Sequence, residues 1–178
     1  MYTRNLLWLV SLVSAAPLYA ADVPANTPLA PQQVFRYNNH SDPGTLDPQK
    51  VEENTAAQIV LDLFEGLVWM DGEGQVQPAQ AERWEILDGG KRYIFHLRSG
   101  LQWSDGQPLT AEDFVLGWQR AVDPKTASPF AGYLAQAHIN NAAAIVAGKA
   151  DVTSLGVKAT DDRTLEVTLE QPVPWFTT

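Results

Sequence analysis

The sequence predicts an α/β fold of the mixed α+β kind, rich in antiparallel strands. Three pairs of short strand-like segments each flank a turn rich in Gly or Asp, and two longer stretches carry apolar residues at helical spacing. The 178 residues suffice for one ordinary domain, and a hydrophobic content of 45% supports a packed core.

Charge and composition exclude several classes of protein. The net charge is −9 and the twelve Lys and Arg residues are scattered, which argues against nucleic acid as a partner. Cysteine is absent, so disulfides, zinc–thiolate sites and cysteine nucleophiles are excluded. No phosphate-binding glycine loop or GxSxG motif occurs, and we expect no cofactor.

The first twenty residues predict a secretory signal peptide. Arg4 precedes a short apolar run over residues 6–16, and the sequence Pro-Leu-Tyr-Ala leads to Ala21. The run is too short to span a bilayer comfortably. We expect cleavage after Ala20, although Leu18 is larger than the small residue preferred at that position, and a soluble exported product.

Two elements are predicted before the first hairpin. Residues 34–38 alternate apolar and polar side chains, which is typical of a short strand. Residues 55–67 have helical apolar spacing, with Asn54 or Thr55 as the N-cap and Gly66 as the stop.

Three hairpins and two further helical segments follow. In the second hairpin Tyr93, Phe95 and Leu97 share one face of their strand, and residues 78–84 before it predict a turn or a short helical piece. Thr110 is the expected N-cap of a helix that ends at Asp123, and residues 141–148 also predict a helix. The first hairpin pairs residues 67–70 with the segment at 76. The second pairs 84–87 with 92–98, and the third pairs 157–160 with 164–169.

Four acids near Trp103 and Trp118 raise the question of a catalytic carboxylate pair. Asp105 lies in a tight turn, Glu112 and Asp113 lie in the first helical turn, and Asp123 precedes a proline. Each position matches a local structural preference of acidic residues. We favour these structural roles and expect no catalytic residue, while a hydrolase that uses such a pair stays the alternative.

No metal site is expected. The histidines are His40, His96 and His138, which are too far apart in sequence for a local metal motif. Trp84, Trp103 and Trp118 are interpreted as core residues.

Many motifs together resemble the periplasmic solute-binding proteins of ABC importers, in the oligopeptide- and dipeptide-binding class. The resemblance extends from about residue 21 to 176, and residues 127–133 and 156–159 are most similar to oligopeptide- and murein-tripeptide-binding members. The motifs in order are LDP at 46–48, DLFEGL at 62–67, AERW at 81–84, FHLR at 95–98, WSDG at 103–106, LTAEDF at 109–114, WQR at 118–120, DP at 123–124, ASPF at 127–130 and GVKA at 156–159.

The resemblance implies a type II periplasmic-binding-protein fold, in which two lobes close on a ligand and a smaller domain is inserted in the first lobe. It implies a signal peptide at 1–20, the start of the first lobe at 21–64 and the inserted domain at 65–178. Members of the family are much longer, so we expect a fragment of a longer precursor that lacks the second lobe.

The resemblance also implies a function. We expect a non-enzymatic, monomeric periplasmic component that captures a peptide or another small, hydrophobic solute and delivers it to an inner-membrane ABC permease.

Four ligand-binding residues are implied by the resemblance. Glu52, Glu53 and Asn54 match an extended segment that pairs with the peptide main chain, a contact that reads any peptide sequence. Capping of the next helix is the alternative role for these three residues. Phe130 stands where oligopeptide binders carry a Tyr whose hydroxyl bonds the ligand, and this difference favours a more apolar ligand.

Replacing Phe130 by Tyr in the full-length protein tests this hypothesis. The added hydroxyl restores a hydrogen-bond partner worth roughly 1 kcal/mol, so we expect tighter binding of peptides and weaker binding of apolar solutes by calorimetry. Unchanged affinity for every ligand would refute it.

Overall fold

The computed structural model of the chain describes residues 27–28, 31–32 and 34–177. The chain divides into two compact units, Met1–Asn38 and Asn39–Thr178. The predicted signal peptide, with its cleavage after Ala20, lies outside the described residues.

The strand predicted at residues 34–38 is wrong. Phe35 and Tyr37 stack with their ring centroids 5.9 Å apart, but the segment has no regular secondary structure. A strand needs a hydrogen-bonded ladder with a neighbouring strand, and none of the strands formed by the described residues includes residues 34–38. Alternation alone therefore gave a false signal here.

The second unit contains four helices and six strands over residues 39–177. The helices are α1 Asn54–Leu63, α2 Ala111–Val122, α3 Ala131–Gln136 and α4 Ala142–Val146, and a 3₁₀ turn spans Val152–Ser154. The strands are β1 Val68–Met70, β2 Val76–Pro78, β3 Ala81–Leu87, β4 Arg92–Leu97, β5 Val157–Asp161 and β6 Thr164–Thr168.

The strands form a two-stranded ribbon, β1–β2, and a four-stranded antiparallel sheet in the order β3-β4-β6-β5. All three predicted hairpins are confirmed. The prediction of a turn or helical piece over 78–84 is wrong, because β3 already begins at Ala81, which pairs with Leu97. The third hairpin adds to the second through β6, which pairs with β4.

One face of the large sheet forms the core. Tyr93, Phe95 and Leu97 of β4 are buried as the alternation predicts, and Leu165 and Val167 of β6 beside them are fully buried. Helix α2 covers β5 and β6 and buries Ala111, Val115 and Val122. Burial of each large side chain contributes about 1.5–3 kcal/mol, so this face supplies much of the stability of the unit.

Helix α1 is less well anchored than α2. Glu53, not Asn54 or Thr55, is its N-cap, and the helix ends at Leu63 before an extended Phe64 instead of at Gly66. Ala56 is its one fully buried residue, while Leu61 and Leu63 are exposed. Within the described residues no helix has both the length and the apolarity needed to cross a bilayer.

Gly156 lies where three segments of the chain meet. Its N–H donates to the carbonyl of Asn140 at 2.9 Å, and its carbonyl accepts from the N–H of Thr168 at 2.7 Å. A Cβ at this position would be 2.5 Å from the Asn140 Cβ and 2.6 Å from the Thr168 carbonyl oxygen. Only glycine therefore allows this close approach.

Gly156→Ala should lower the free energy of unfolding by about 1–3 kcal/mol, because the backbone must separate to admit a methyl group. Denaturant titration measures the change. Gly72→Ala is the matched control, since a Cβ there meets nothing within 4 Å. Equal stability of the two variants would contradict the packing argument.

Candidate ligand-binding site

The four acids that raised the question of catalysis have local structural roles. The Asp105 carboxylate accepts a hydrogen bond from the N–H of Gln107 at 2.9 Å, and that of Asp123 accepts from Lys125 at 2.9 Å. The Asp113 carboxylate accepts from the N–H of Thr110 at 2.7 Å and from its hydroxyl at 3.0 Å. Glu112 lies in the first turn of α2. The predicted structural roles of Asp105 in a turn, Asp113 in the cap and Asp123 at the helix end are confirmed, and the capping role of Glu112 stays a prediction.

His96 also has a structural partner. Its Nε2 lies 2.9 Å from a carboxylate oxygen of Glu85, and this hydrogen bond is the main cause that lowers the pKa of Glu85, with Arg83 as the next. Among the residues that the structure describes, no group of three or more His, Asp or Glu side chains could hold a metal ion.

Glu52, Glu53 and Asn54 lie together on the surface where an extended segment becomes helix α1. All three are exposed, and the Glu53 backbone is extended with φ −93° and ψ 140°. The Glu53 carbonyl accepts the first helical hydrogen bond, from Ala57 at 2.9 Å. An extended backbone and a helix start therefore coexist here, so both predicted roles of this edge are compatible with the geometry.

The loop before this edge is attached to helix α2 by Arg120. Its Nη1 donates to Asp47 Oδ1 at 2.8 Å and its Nη2 to Asp47 Oδ2 at 2.6 Å, a bidentate pair. Nη1 also donates to Gln49 Oε1 at 2.6 Å, and the Gln49 amide donates to the carbonyl of Gly117. We call Asp47, Gln49 and Arg120 the Arg120 clamp.

The clamp perturbs the acid within it. The Arg120 hydrogen bond is the largest cause that lowers the pKa of Asp47 to about 2; burial opposes it, and the Gln49 N–H and the charges of Arg120 and Lys50 assist. The same hydrogen bond raises the pKa of Arg120. Both groups therefore stay charged at neutral pH.

Phe130 occupies a different position from the edge at Glu52. It is 46% exposed at the N-terminus of α3, and its N–H donates to the Ser128 hydroxyl at 3.2 Å. No hydrogen bond or ring contact joins it to Glu52, Glu53 or Asn54 within residues 34–177. The first three predicted site residues are consecutive and lie at the start of α1, whereas Phe130 lies at the start of another helix, α3.

An apolar cleft of about 390 Å³ opens beside α3. Tyr133 and Trp175 pack at its edge with ring centroids 6.3 Å apart, and both are exposed. Its other large lining side chains are Phe95, Phe114, Trp118, Leu134 and Phe176. Apolar walls of this kind suit the hydrophobic part of a ligand.

A second cleft, of about 600 Å³, separates the end of α1 from α2. Trp103, Phe64 and Gln49 are among its lining residues. Gln80 lines it too, and its side-chain oxygen is buried without a hydrogen-bond partner. The core interpretation is wrong for Trp103, which is 40% exposed, whereas Trp84 and Trp118 pack against the core.

Sequence reasoning missed Tyr133, Trp175 and Arg120 as residues of interest. The two aromatics are separated by 42 positions (175 − 133), so no local pattern pairs them. Arg120 and Asp47 are 73 residues apart. The one available signal was that Arg120 and Asp47 both belong to motifs of the family resemblance, at 118–120 and 46–48.

The described residues thus form two clefts lined by aromatic side chains and an exposed edge at residues 52–54. The chain belongs to the family described as bacterial extracellular solute-binding proteins, family 5; residues 75–178 match its middle region.

The chain is similar to two curated periplasmic proteins over nearly all of its length. It is 51% identical to the periplasmic oligopeptide-binding protein OppA of Salmonella typhimurium and 46% identical to the periplasmic murein peptide-binding protein MppA of Escherichia coli. Each match covers 94% of the chain. The chain spans 31% of the length of each relative.

Solved structures agree with these matches. Haemophilus influenzae OppA in complex with the peptide RPPGFSPFR is 45% identical with a TM-score of 0.75, over 78% of this chain and 27% of that one. The Escherichia coli murein tripeptide binding protein MppA is 48% identical with a TM-score of 0.73, over 75% and 26%. The predicted family and mixed α/β fold class are confirmed.

Asp47→Asn tests the electrostatic role of the clamp. The pKa of Asp47 falls from its ordinary 3.8 to about 2 on folding, so its stabilising contribution is complete above pH 3.8 and is lost as pH falls towards 2. The partners are partly exposed, so we expect the variant to lose about 1 kcal/mol of unfolding free energy at neutral pH.

Denaturant titrations across this pH range measure the difference between wild type and Asp47→Asn. The difference should shrink steadily below pH 3.8 and be smallest near pH 2. A gap of constant size across the range would show that the charge of Asp47 contributes nothing.

Proposed function

We propose that the chain is part of the solute-binding component of an ABC importer, and that this component captures peptides in the periplasm. The observation that carries the proposal is 51% identity over 94% of the chain to a periplasmic oligopeptide-binding protein. The fold similarity to a relative in complex with a nine-residue peptide supports the same ligand class.

The proposed mechanism is capture between two lobes. Glu52, Glu53 and Asn54 are exposed, and the backbone is extended at Glu53, directly before helix α1 begins at Asn54. In the proposal a peptide main chain forms hydrogen bonds with this segment, independently of the peptide's side chains. Ligand then favours the closed state because it contacts both lobes only in that state. The closed complex is what an inner-membrane permease recognises.

The ligand is a peptide with apolar character, or another small hydrophobic solute. Phe130 is exposed and cannot donate a side-chain hydrogen bond, and the cleft beside Tyr133 is apolar. Transfer from water to such a surface costs less free energy for an apolar ligand side chain than for a charged one.

The remaining features of the proposal concern location and organisation. Residues 1–20 direct export and are removed after Ala20, residues 21–64 begin the first lobe, and residues 65–178 form the inserted domain. The protein acts as a monomer. It also carries out no catalysis, and the local hydrogen bonds of Asp105 and Asp113 support structural roles for these acids.

Titration of the intact protein with trialanine tests the proposal. We expect saturable binding by calorimetry and unchanged peptide by chromatography after prolonged incubation. Asp105→Asn is the matched variant, because it keeps the size of a turn residue and removes its charge; it should bind trialanine as the wild type does.

Two outcomes would contradict the proposal. Absence of binding to trialanine and to longer apolar peptides would refute peptide capture. Hydrolysis of the peptide that is lost in Asp105→Asn or Asp113→Asn would instead favour the periplasmic hydrolase with a carboxylate pair.

A further inference from the structure

We propose that Arg120 is a positioning residue for ligand binding: its guanidinium holds the loop at Asp47 on helix α2 and thereby fixes the place of the edge formed by Glu52, Glu53 and Asn54. The inference rests on the proposed function, since it concerns the same peptide-pairing edge. Arg120 itself lies on α2 and belongs to a different element from the edge that it positions.

The clamp is rigid at its loop end. Asp47 accepts from the N–H of Gln49 through its side chain at 3.1 Å and from the N–H of Lys50 through its carbonyl at 2.9 Å. A closed turn over 47–50 therefore presents both Asp47 and Gln49 to Arg120. Movement of the guanidinium would break its contacts with both Asp47 and Gln49 at once, because both side chains bind the same Nη1. The hydrogen bond from the Gln49 amide to the Gly117 carbonyl would then be the remaining side-chain attachment of the turn to α2 among the described residues.

Only one residue separates this turn from the edge. Val51 is 4% exposed and anchors the chain in the core, and Glu52 follows it directly. The position of the clamp is thus transmitted to Glu52 over very few rotatable bonds.

Apart from the burial of Val51, the other attachments of the edge are weak. The Gly44 N–H reaches the Glu53 carboxylate at 3.4 Å, and the Ser41 hydroxyl reaches that of Thr55 at 3.4 Å, both near the limit of a hydrogen bond. Helix α1 fully buries Ala56 alone. A short bidentate ion pair is the stronger restraint in this region.

The consequence is a local equilibrium. Loss of the clamp should let the turn and the edge open without unfolding the sheet, since segments with little buried surface open at lower free energy than the core. Apparent affinity falls in proportion to the fraction of molecules whose edge is correctly placed. The lower affinity should therefore result from a slower association rate, while the rate of dissociation from the bound state stays the same.

The test compares Arg120→Met, Arg120→Lys and Arg92→Met in the intact protein, with trialanine as the probe. Arg92 is a matched control because it also binds two side chains, the carboxylates of Asp88 at 2.7 Å and Glu166 at 3.6 Å, and it lies on β4 away from the turn at 47–50 in the sequence. Stopped-flow fluorescence gives the two rates, and hydrogen exchange of the Gln49 and Lys50 amides reports the turn.

For Arg120→Met we expect roughly a tenfold rise in Kd through slower association, and faster exchange of the Gln49 and Lys50 amides, with β4 and β6 unchanged. Arg120→Lys keeps the charge but loses the fork, so it should fall between wild type and Arg120→Met. Arg92→Met should bind as the wild type does.

Three results would overturn the inference. They are a Kd of Arg120→Met within twofold of wild type, an equal effect of Arg92→Met, or a loss that lies wholly in dissociation. If the wild type binds no peptide, the proposed function fails, and hydrogen exchange alone then tests whether Arg120 holds the turn. Unchanged exchange rates of the Gln49 and Lys50 amides in Arg120→Met would refute that role separately.

Discussion

The pairing of β4 with β6 is the constraint on which the described fold depends. It joins residues 92–96 to residues 164–168 and so encloses α2, α3 and α4 within one closed stretch of chain. Loop closure over such a separation is entropically costly. Burial of Phe95, Leu165 and Val167 on one face offsets that cost, and the same face is what α2 covers.

Two candidate ligand-binding features are connected to this sheet. The Arg120 clamp lies on α2, which packs on β5 and β6, and the aromatic edge of the apolar cleft lies on α3 and on the segment after β6. Exposed aromatic side chains would be costly on a fully solvated surface, and monomeric proteins rarely gather them. Tyr133 and Trp175 form one such exposed pair, with ring centroids 6.3 Å apart.

Acidic residues serve structure throughout the described chain. Asp47, Asp105, Asp113 and Asp123 each accept a hydrogen bond from a backbone N–H within three residues. An acceptor-only side chain placed next to unsatisfied N–H groups is the local solution that turns and helix starts require. Asp47 differs from the others because a distant guanidinium also uses it, which makes a turn residue into a tertiary contact.

The sequence by itself determined the three hairpins, the buried faces of their strands, the capping of α2 and the structural roles of Asp105, Asp113 and Asp123. These depend on neighbours a few residues away, so spacing and side-chain chemistry contain the information. Predictions from local patterns were wrong for residues 34–38, the start of β3 and Trp103. Strand pairing and burial depend on residues that are distant in the sequence, which a local pattern does not contain. Only the tertiary structure decided the order of the strands, the need for glycine at 156, the meeting of Tyr133 with Trp175 and that of Arg120 with Asp47. Such contacts join residues more than ten positions apart, in some cases more than seventy, and they exist only after the sheet has closed.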